Sequence, residues 1–175
     1  MVRMWTAPEV TRHGHSDPLL GDERTILEGR LEWHRSTLLA KCAGLTGEEL
    51  ARQVVPPSNL SLLGLIRHVA QVESSWFQRL LAGRDVPRVH PSGGADFDAA
   101  TPENAEADYA TLLAQMAASR EVVATMSLDD EFTVQMWDGQ RASVRWLHVH
   151  MIEEYARHNG HADLLRERVD GTTGP

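Results

Sequence analysis

Residues 144–169 read VRWLHVHMIEEYARHNGHADLLRERV, and this stretch decides the fold. Within it, the residues of one face recur at steps of three and four positions, which is the repeat of an α-helix. They are Val144, Leu147, Met151, Glu154, His158, Ala162, Leu165 and Val169. The spacing predicts a long helix over about 143–169 whose stripe faces a core made by other helices.

Helical periodicity also runs through three earlier segments of the chain. We predict their helices at residues 22–43, 59–82 and 101–126. Thr46 and Glu49 have the spacing of a capping box, which opens a short helical turn, and Ser58 is the expected N-cap of the second long helix. Thr101, followed by a proline, is the expected N-cap of the third.

The two longer connections have different signals. Residues 84–100 are rich in proline and glycine, which predicts a surface loop. Phe132 and Val134 alternate with polar residues and are followed by Asp138-Gly139, which predicts a short β-hairpin. The hairpin is too short to be the basis of a larger β-sheet, so we expect it to be a minor element of a helical fold.

These elements together predict an all-α protein, a four-helix bundle with a short β-hairpin-like segment before the last helix. The length of 175 residues fits one domain. Residues 1–20 lack periodicity and are expected to form an N-terminal arm, and residues 21–175 the bundle domain. His13 and His15 in this arm could bind a metal, although such a pair is more often solvated.

Composition excludes several classes of partner. The chain has 25 acidic and 17 basic residues, a net charge of −8, which argues against nucleic acid or an anionic membrane as partner. Cys42 is the only cysteine and falls on an apolar helical face, so it is expected to be a buried hydrophobe in a reducing compartment. Since there is neither an apolar membrane-length run nor a secretory signal, we expect a cytoplasmic protein.

Polar residues interrupt the apolar stripe of the last helix. Glu154 and His158 are four apart and project side by side, and a carboxylate in a helical core is costly unless it is paired, protonated or bound to a metal. His68 lies at the edge of the apolar arc of the second helix, where it could face this pair in an antiparallel bundle. His68, Glu154 and His158 would be a three-ligand metal site with one open position, and such sites are catalytic more often than structural.

Other interpretations of these residues stay open. His68 could be a hydrogen-bonded core histidine, and Glu154 could pair with Arg35, Arg145 or Arg157 in a plain helical dimer that needs no metal. His34 is the best spare ligand and Glu73 the runner-up carboxylate. Three further histidines of the last helix are expected to be partly exposed, with one of them able to hydrogen-bond near the site, namely His148, His150 and His161.

Several motifs together resemble those of a known family. They are Trp33-x-Arg35, Gly44-Leu45-Thr46-x-Glu48-Glu49-Leu50, Pro57-Ser58-x-Leu60-Ser61-Leu62, Leu65-x-x-His68 and the run from His150 to Asp163. Over about residues 20–171 the chain resembles the DinB-like superfamily of metal-binding four-helix bundles. It looks closest to the branch that contains the N-terminal domain of mycothiol-dependent maleylpyruvate isomerase.

The resemblance implies a function. By motif, the family's metal ligands fall on His68, Glu154 and His158, the metal is zinc or nickel, and related members transfer low-molecular-weight thiols. It implies a metal-dependent thiol S-transferase that uses a thiol such as mycothiol and an electrophilic substrate. The alternative is a non-enzymatic metal-binding bundle for stress response or partner binding. In either case we expect a homodimer, because bundles of this size often bury a helix face against a second copy.

Overall fold

The computed structural model describes residues 4–10, 18–91 and 93–174, and it confirms the predicted four-helix bundle with a hairpin before its last helix. The elements are α1 Glu23–Cys42, α2 Gly47–Ala51, α3 Leu62–Glu73, a π-helical continuation Ser74–Leu81, α4 Ala95–Asp98, α5 Ala105–Val123, β1 Glu131–Val134, β2 Gln140–Ser143 and α6 Val144–Asp170. Within the described ranges, no helix combines the length and the apolarity that a membrane span needs.

The first two helices begin where the sequence predicts. Asp22 caps α1, since its carboxylate accepts a hydrogen bond from the backbone N–H of Thr25 at 2.8 Å. The capping box of α2 is present, because the Thr46 N–H donates to Glu49 Oε2 at 2.8 Å and the Glu49 N–H donates to Thr46 Oγ1 at 3.3 Å. Gly44 connects the two helices with φ +76°, a left-handed conformation that favours glycine.

The second long helix begins later than predicted, so Ser58 is not its N-cap. Ser61 takes that role and accepts from the Gly64 N–H at 3.0 Å, whereas the Ser58 hydroxyl accepts from the Leu60 N–H and closes a local turn. After α3 the chain continues as a π-helix rather than an α-helix, and this segment ends with a bond from the Ala82 N–H to the Phe77 carbonyl.

The later elements also differ in detail. Thr101 makes no side-chain cap bond, and a 3₁₀ turn, Pro102–Asn104, precedes α5. Residues 84–100 are not only a surface loop, because they contain α4 and the buried His90. The predicted hairpin is confirmed as an antiparallel pair of β1 and β2 with Phe132 opposite Ala142.

The core lies between helices that pack in two pairs, α1 along α6 and α3 along α5, with α3 also against α6. The buried face of α6 is therefore wider than the predicted stripe: Tyr155 and His148 are buried in it, and Glu154 and Val169 lie half-buried at its edges. The prediction of a partly exposed His148 is wrong for the same reason. Cys42 is fully buried as predicted, and this burial raises the pKa of its thiol to about 12.

The described part of the N-terminal arm is packed on the bundle. The Ala7 N–H donates to the Leu45 carbonyl at 2.8 Å, and the Gly44 N–H donates to the Ala7 carbonyl at 2.9 Å. Trp5 meets the ring of Tyr109 edge-on. His13 and His15 lie outside the described residues.

Candidate metal centre

The fold brings His68 of α3 together with Glu154 and His158 of α6. One ligand atom from each of the three side chains lies within 4.8 Å of the other two. His158 is buried and the other two are half-buried, so the cluster is at the edge of the core rather than at its centre. Their role as metal ligands stays a prediction, but their proximity is what such a role requires.

The donor set and spacing fit a divalent cation. His158 Nε2 lies 3.6 Å from Glu154 Oε2, which is too long for a hydrogen bond. Two ligands that each lie about 2.1 Å from a tetrahedral ion are roughly 3.4 Å apart. The gap between these atoms is thus close to the separation of two ligands of one ion, and two imidazoles with one carboxylate suit zinc or nickel.

Asp96 orients the His68 ring, a role that no sequence pattern predicted. His68 Nδ1 lies 2.8 Å from Asp96 Oδ2, so Nδ1–H donates to the carboxylate and the lone pair of Nε2 is free for a cation. Phe97 stacks on the imidazole ring, with ring centroids 5.2 Å apart. Both residues belong to α4, inside the segment that was predicted to be only a loop.

Arg67 holds this segment in place. Its guanidinium donates to the carbonyls of Ala95 and Asp96 at 3.1 and 2.9 Å and to Asp108 Oδ2 of α5 at 2.7 Å. Gly64 allows the close approach, because a Cβ at that position would lie 2.8 Å from the ring of Phe97. The neighbours of His68 on α3 therefore fix the residues that orient it.

The environment of His158 keeps its imidazole neutral, which is the form that binds metals. Burial, together with the nearby His68 and His161, lowers the pKa of His158 to about 4. Its Nδ1 lies 3.3 Å from His161 Nδ1, while Nε2 is on the side of Glu154. His161 is thus the histidine that hydrogen-bonds near the site, and it is half-buried.

Of the two carboxylates considered as metal ligands, the one that pairs with a buried arginine is Glu73, not Glu154. Arg35 donates to both oxygens of Glu73 at 2.8 and 2.7 Å, and the Tyr155 hydroxyl donates to the same group at 2.8 Å. Glu73 is fully buried, both of its oxygens already accept hydrogen bonds, and it is not one of the three clustered residues. The other two arginines considered for Glu154 have different partners, since Arg145 binds Glu23 and Asp129, and Arg157 binds Glu153.

Two further histidines that the sequence analysis considered are not part of the cluster. His34 is buried on α1, where the Asn159 side chain donates to its backbone carbonyl at 3.0 Å. His150 is half-buried and lies one helical turn before Glu154, stacked on Trp146 with ring centroids 4.9 Å apart. Trp76 contacts both rings, and these aromatic groups form a wall on the Glu154 side of α6.

Comparison with known proteins assigns the chain to a family. The family model described as Mycothiol-S-transferase matches residues 26–171. Neither the curated proteins nor the solved structures give a match. The matched range includes nearly all of α1, the other long helices, and all three residues of the cluster. Because the match covers most of the sequence and the bundle has the expected form, this chain belongs to the mycothiol S-transferase family, which is DinB-like.

Proposed function

We propose that the protein is a metal-dependent S-transferase that joins a low-molecular-weight thiol, such as mycothiol, to an electrophilic substrate. Three side chains, His68, Glu154 and His158, would hold one divalent cation and leave one coordination position open for the thiol. We expect the cation to be zinc, with nickel as the second candidate. The observation that supports this most is the convergence of the three side chains within 4.8 Å in a chain of the mycothiol S-transferase family.

When it is bound, the cation supplies Lewis acidity, which lowers the pKa of a thiol so that thiolate is present near neutral pH. The chain supplies the rest. Asp96 keeps His68 in the tautomer with a free Nε2, and burial keeps His158 neutral. Glu154 contributes one negative charge, which offsets part of the charge of the cation.

Metal analysis tests the first half of this proposal. Protein purified without added metal should carry about one zinc or nickel ion per chain, and Glu154→Gln and His68→Ala should carry much less. Glu153→Gln is the matched control, because Glu153 is the exposed neighbour of Glu154 and pairs with Arg157. Equal metal content in wild type and Glu154→Gln would contradict the assignment.

Thiol transfer tests the second half. Monobromobimane is a suitable electrophile, since the thiol sulfur forms a bond to its methylene carbon, bromide leaves, and the thiol proton goes to solvent. Mycothiol consumption above the uncatalysed rate should require the metal and should be lost in Glu154→Gln but not in Glu153→Gln. A stoichiometric metal without any thiol-dependent turnover would instead favour the alternative, a non-enzymatic metal-binding bundle.

A further inference from the structure

A cavity of about 400 Å³ lies between α1 and α5, where Arg120 of α5 pairs with Glu32 of α1. Its walls come from α1, the π-helical segment, α5 and α6, and none of the three cluster residues lines it. The walls are mainly apolar, with Leu31, Phe77 and Val123 as their buried members. The volume is within the usual range of small-molecule sites, about 300–1,000 Å³.

Two buried neutral groups line this cavity with acceptor lone pairs. His148 is 1% exposed, and its Nδ1 lies 2.9 Å from the Val144 carbonyl. A carbonyl only accepts, so Nδ1 carries the proton and Nε2 carries a lone pair. Ser119 is also 1% exposed and donates its hydroxyl to the Gln115 carbonyl, so its oxygen too is left as an acceptor. Burial lowers the pKa of His148, and its ring is neutral near pH 7.

The charged groups at the cavity neutralise each other. Arg35 donates to Glu73 and to Glu32, and Arg120 donates to both oxygens of Glu32 at 2.9 and 2.7 Å. Glu28 pairs with Arg24. Since each charged side chain of the wall already has a partner of opposite sign, we expect the cavity to favour an uncharged ligand.

The cavity is separate from the candidate metal centre. His148 precedes Glu154 by six residues, which on an α-helix is about 9 Å along the axis and about 120° around it. The cluster faces α3 and α4, whereas His148 faces the α1 side, where Glu28 and Arg35 are its charged neighbours. A ligand in the cavity would therefore not touch the metal ligands.

From these observations we infer that the cavity is a second small-molecule site, which binds a mainly apolar alcohol or phenol. The apolar walls take its body and its hydroxyl donates to Nε2 of His148, with the Ser119 oxygen as a further acceptor in the lining. This inference does not depend on the S-transferase activity, because it uses no residue of the cluster.

Phenol and toluene are the probes, since they share a ring and only phenol has a donor. In an NMR titration of ¹⁵N-labelled protein, both molecules should shift the amide signals of α5 and α6 around Ser119 and His148. In His148→Phe, which keeps a ring but loses the acceptor, the affinity for phenol relative to toluene should fall about tenfold.

A substitution at the rim of the cavity tests the site independently, in case His148→Phe does not fold. Ala124 is exposed at the cavity, and Ala124→Phe should weaken binding of both probes at least tenfold by filling the mouth. Ala117→Phe is the matched control on the exposed face of α5, outside the cavity lining, and should change neither affinity. His158→Ala should also leave phenol binding unchanged. Absence of phenol binding, its survival in Ala124→Phe, or its loss in His158→Ala would each overturn the inference.

Discussion

Replacing Asp96 with alanine is expected to weaken zinc binding by about tenfold, at the lower end of the ten- to hundredfold range for residues that orient metal-bound histidines. The carboxylate accepts from His68 Nδ1 at 2.8 Å and so fixes both the tautomer and the ring angle. A hydrogen bond to a charged group contributes about 1.5–3 kcal/mol, and tenfold in affinity is about 1.4 kcal/mol. The low end applies because Phe97 still stacks on the ring after the change.

Asp96→Asn separates charge from geometry. The amide oxygen can still accept from Nδ1, but a neutral acceptor is weaker than a carboxylate. We therefore expect the zinc affinity of Asp96→Asn to lie between the affinities of the wild type and of Asp96→Ala. Asp98→Ala is the matched control, because Asp98 belongs to the same short helix but binds Asn59 at the surface.

Competition with a chromophoric chelator measures these zinc affinities. The visible spectrum of the cobalt-substituted protein is a second readout, because it reports ligand geometry and would shift in Asp96→Ala if the His68 ring turns. Two results would refute the reasoning: zinc affinity of Asp96→Ala within twofold of wild type, or an equal loss in Asp98→Ala.

Four further outcomes are expected. His158→Ala should lower zinc affinity at least tenfold, and His161→Ala should lower it less, as measured by the same competition; equal losses would contradict the assignment of ligands. Glu73→Ala should cost about 3–5 kcal/mol of unfolding free energy in urea, because it leaves the buried Arg35 with only the half-buried Glu32 as its acidic partner. A loss below about 1 kcal/mol would show that the Arg35–Glu73 pair is dispensable. Burial lowers the pKa of His148, so the folding stability that is present above about pH 6.5 should be lost as the pH falls. In thermal melts between pH 7 and 5, the melting temperature of His148→Phe should therefore fall less than that of the wild type. Parallel curves of melting temperature against pH would refute this. Sedimentation should give a homodimer of twice 19.5 kDa at micromolar concentration, and a monomer would contradict that prediction.

Local sequence patterns were sufficient to predict the long helices and the proximity of the cluster. Glu154 and His158 are on one helix, so their spacing alone sets them side by side. His68 required one further step, an antiparallel neighbour at the same depth, and the packing of α3 against α6 supplies it. These inferences held because each depends on the period of a helix and on the order of the bundle.

Partners from outside the helices could not be predicted in this way. Asp96 is one of several acidic residues in a segment without periodicity, and tertiary contacts of that segment, such as those with Arg67, bring it to His68. The pairing of Glu73 with Arg35 was also hidden, because it joins residues of two helices that are 38 positions apart. Which arginine meets which carboxylate depends on side-chain reach across a helix interface, and the sequence period does not encode it.

The contrast between two glutamates is a second observation, beside the distances, that supports a cation at the cluster. Glu73 is fully buried, and the chain neutralises it with Arg35 and the Tyr155 hydroxyl. Glu154 is half-buried, and among the described residues its ion-pair partner is His158, whose lowered pKa leaves it uncharged near neutral pH. Glu154 faces two imidazoles, and no arginine or lysine of the described residues forms an ion pair with it. A divalent cation would supply the positive charge that stabilises such a partly buried carboxylate.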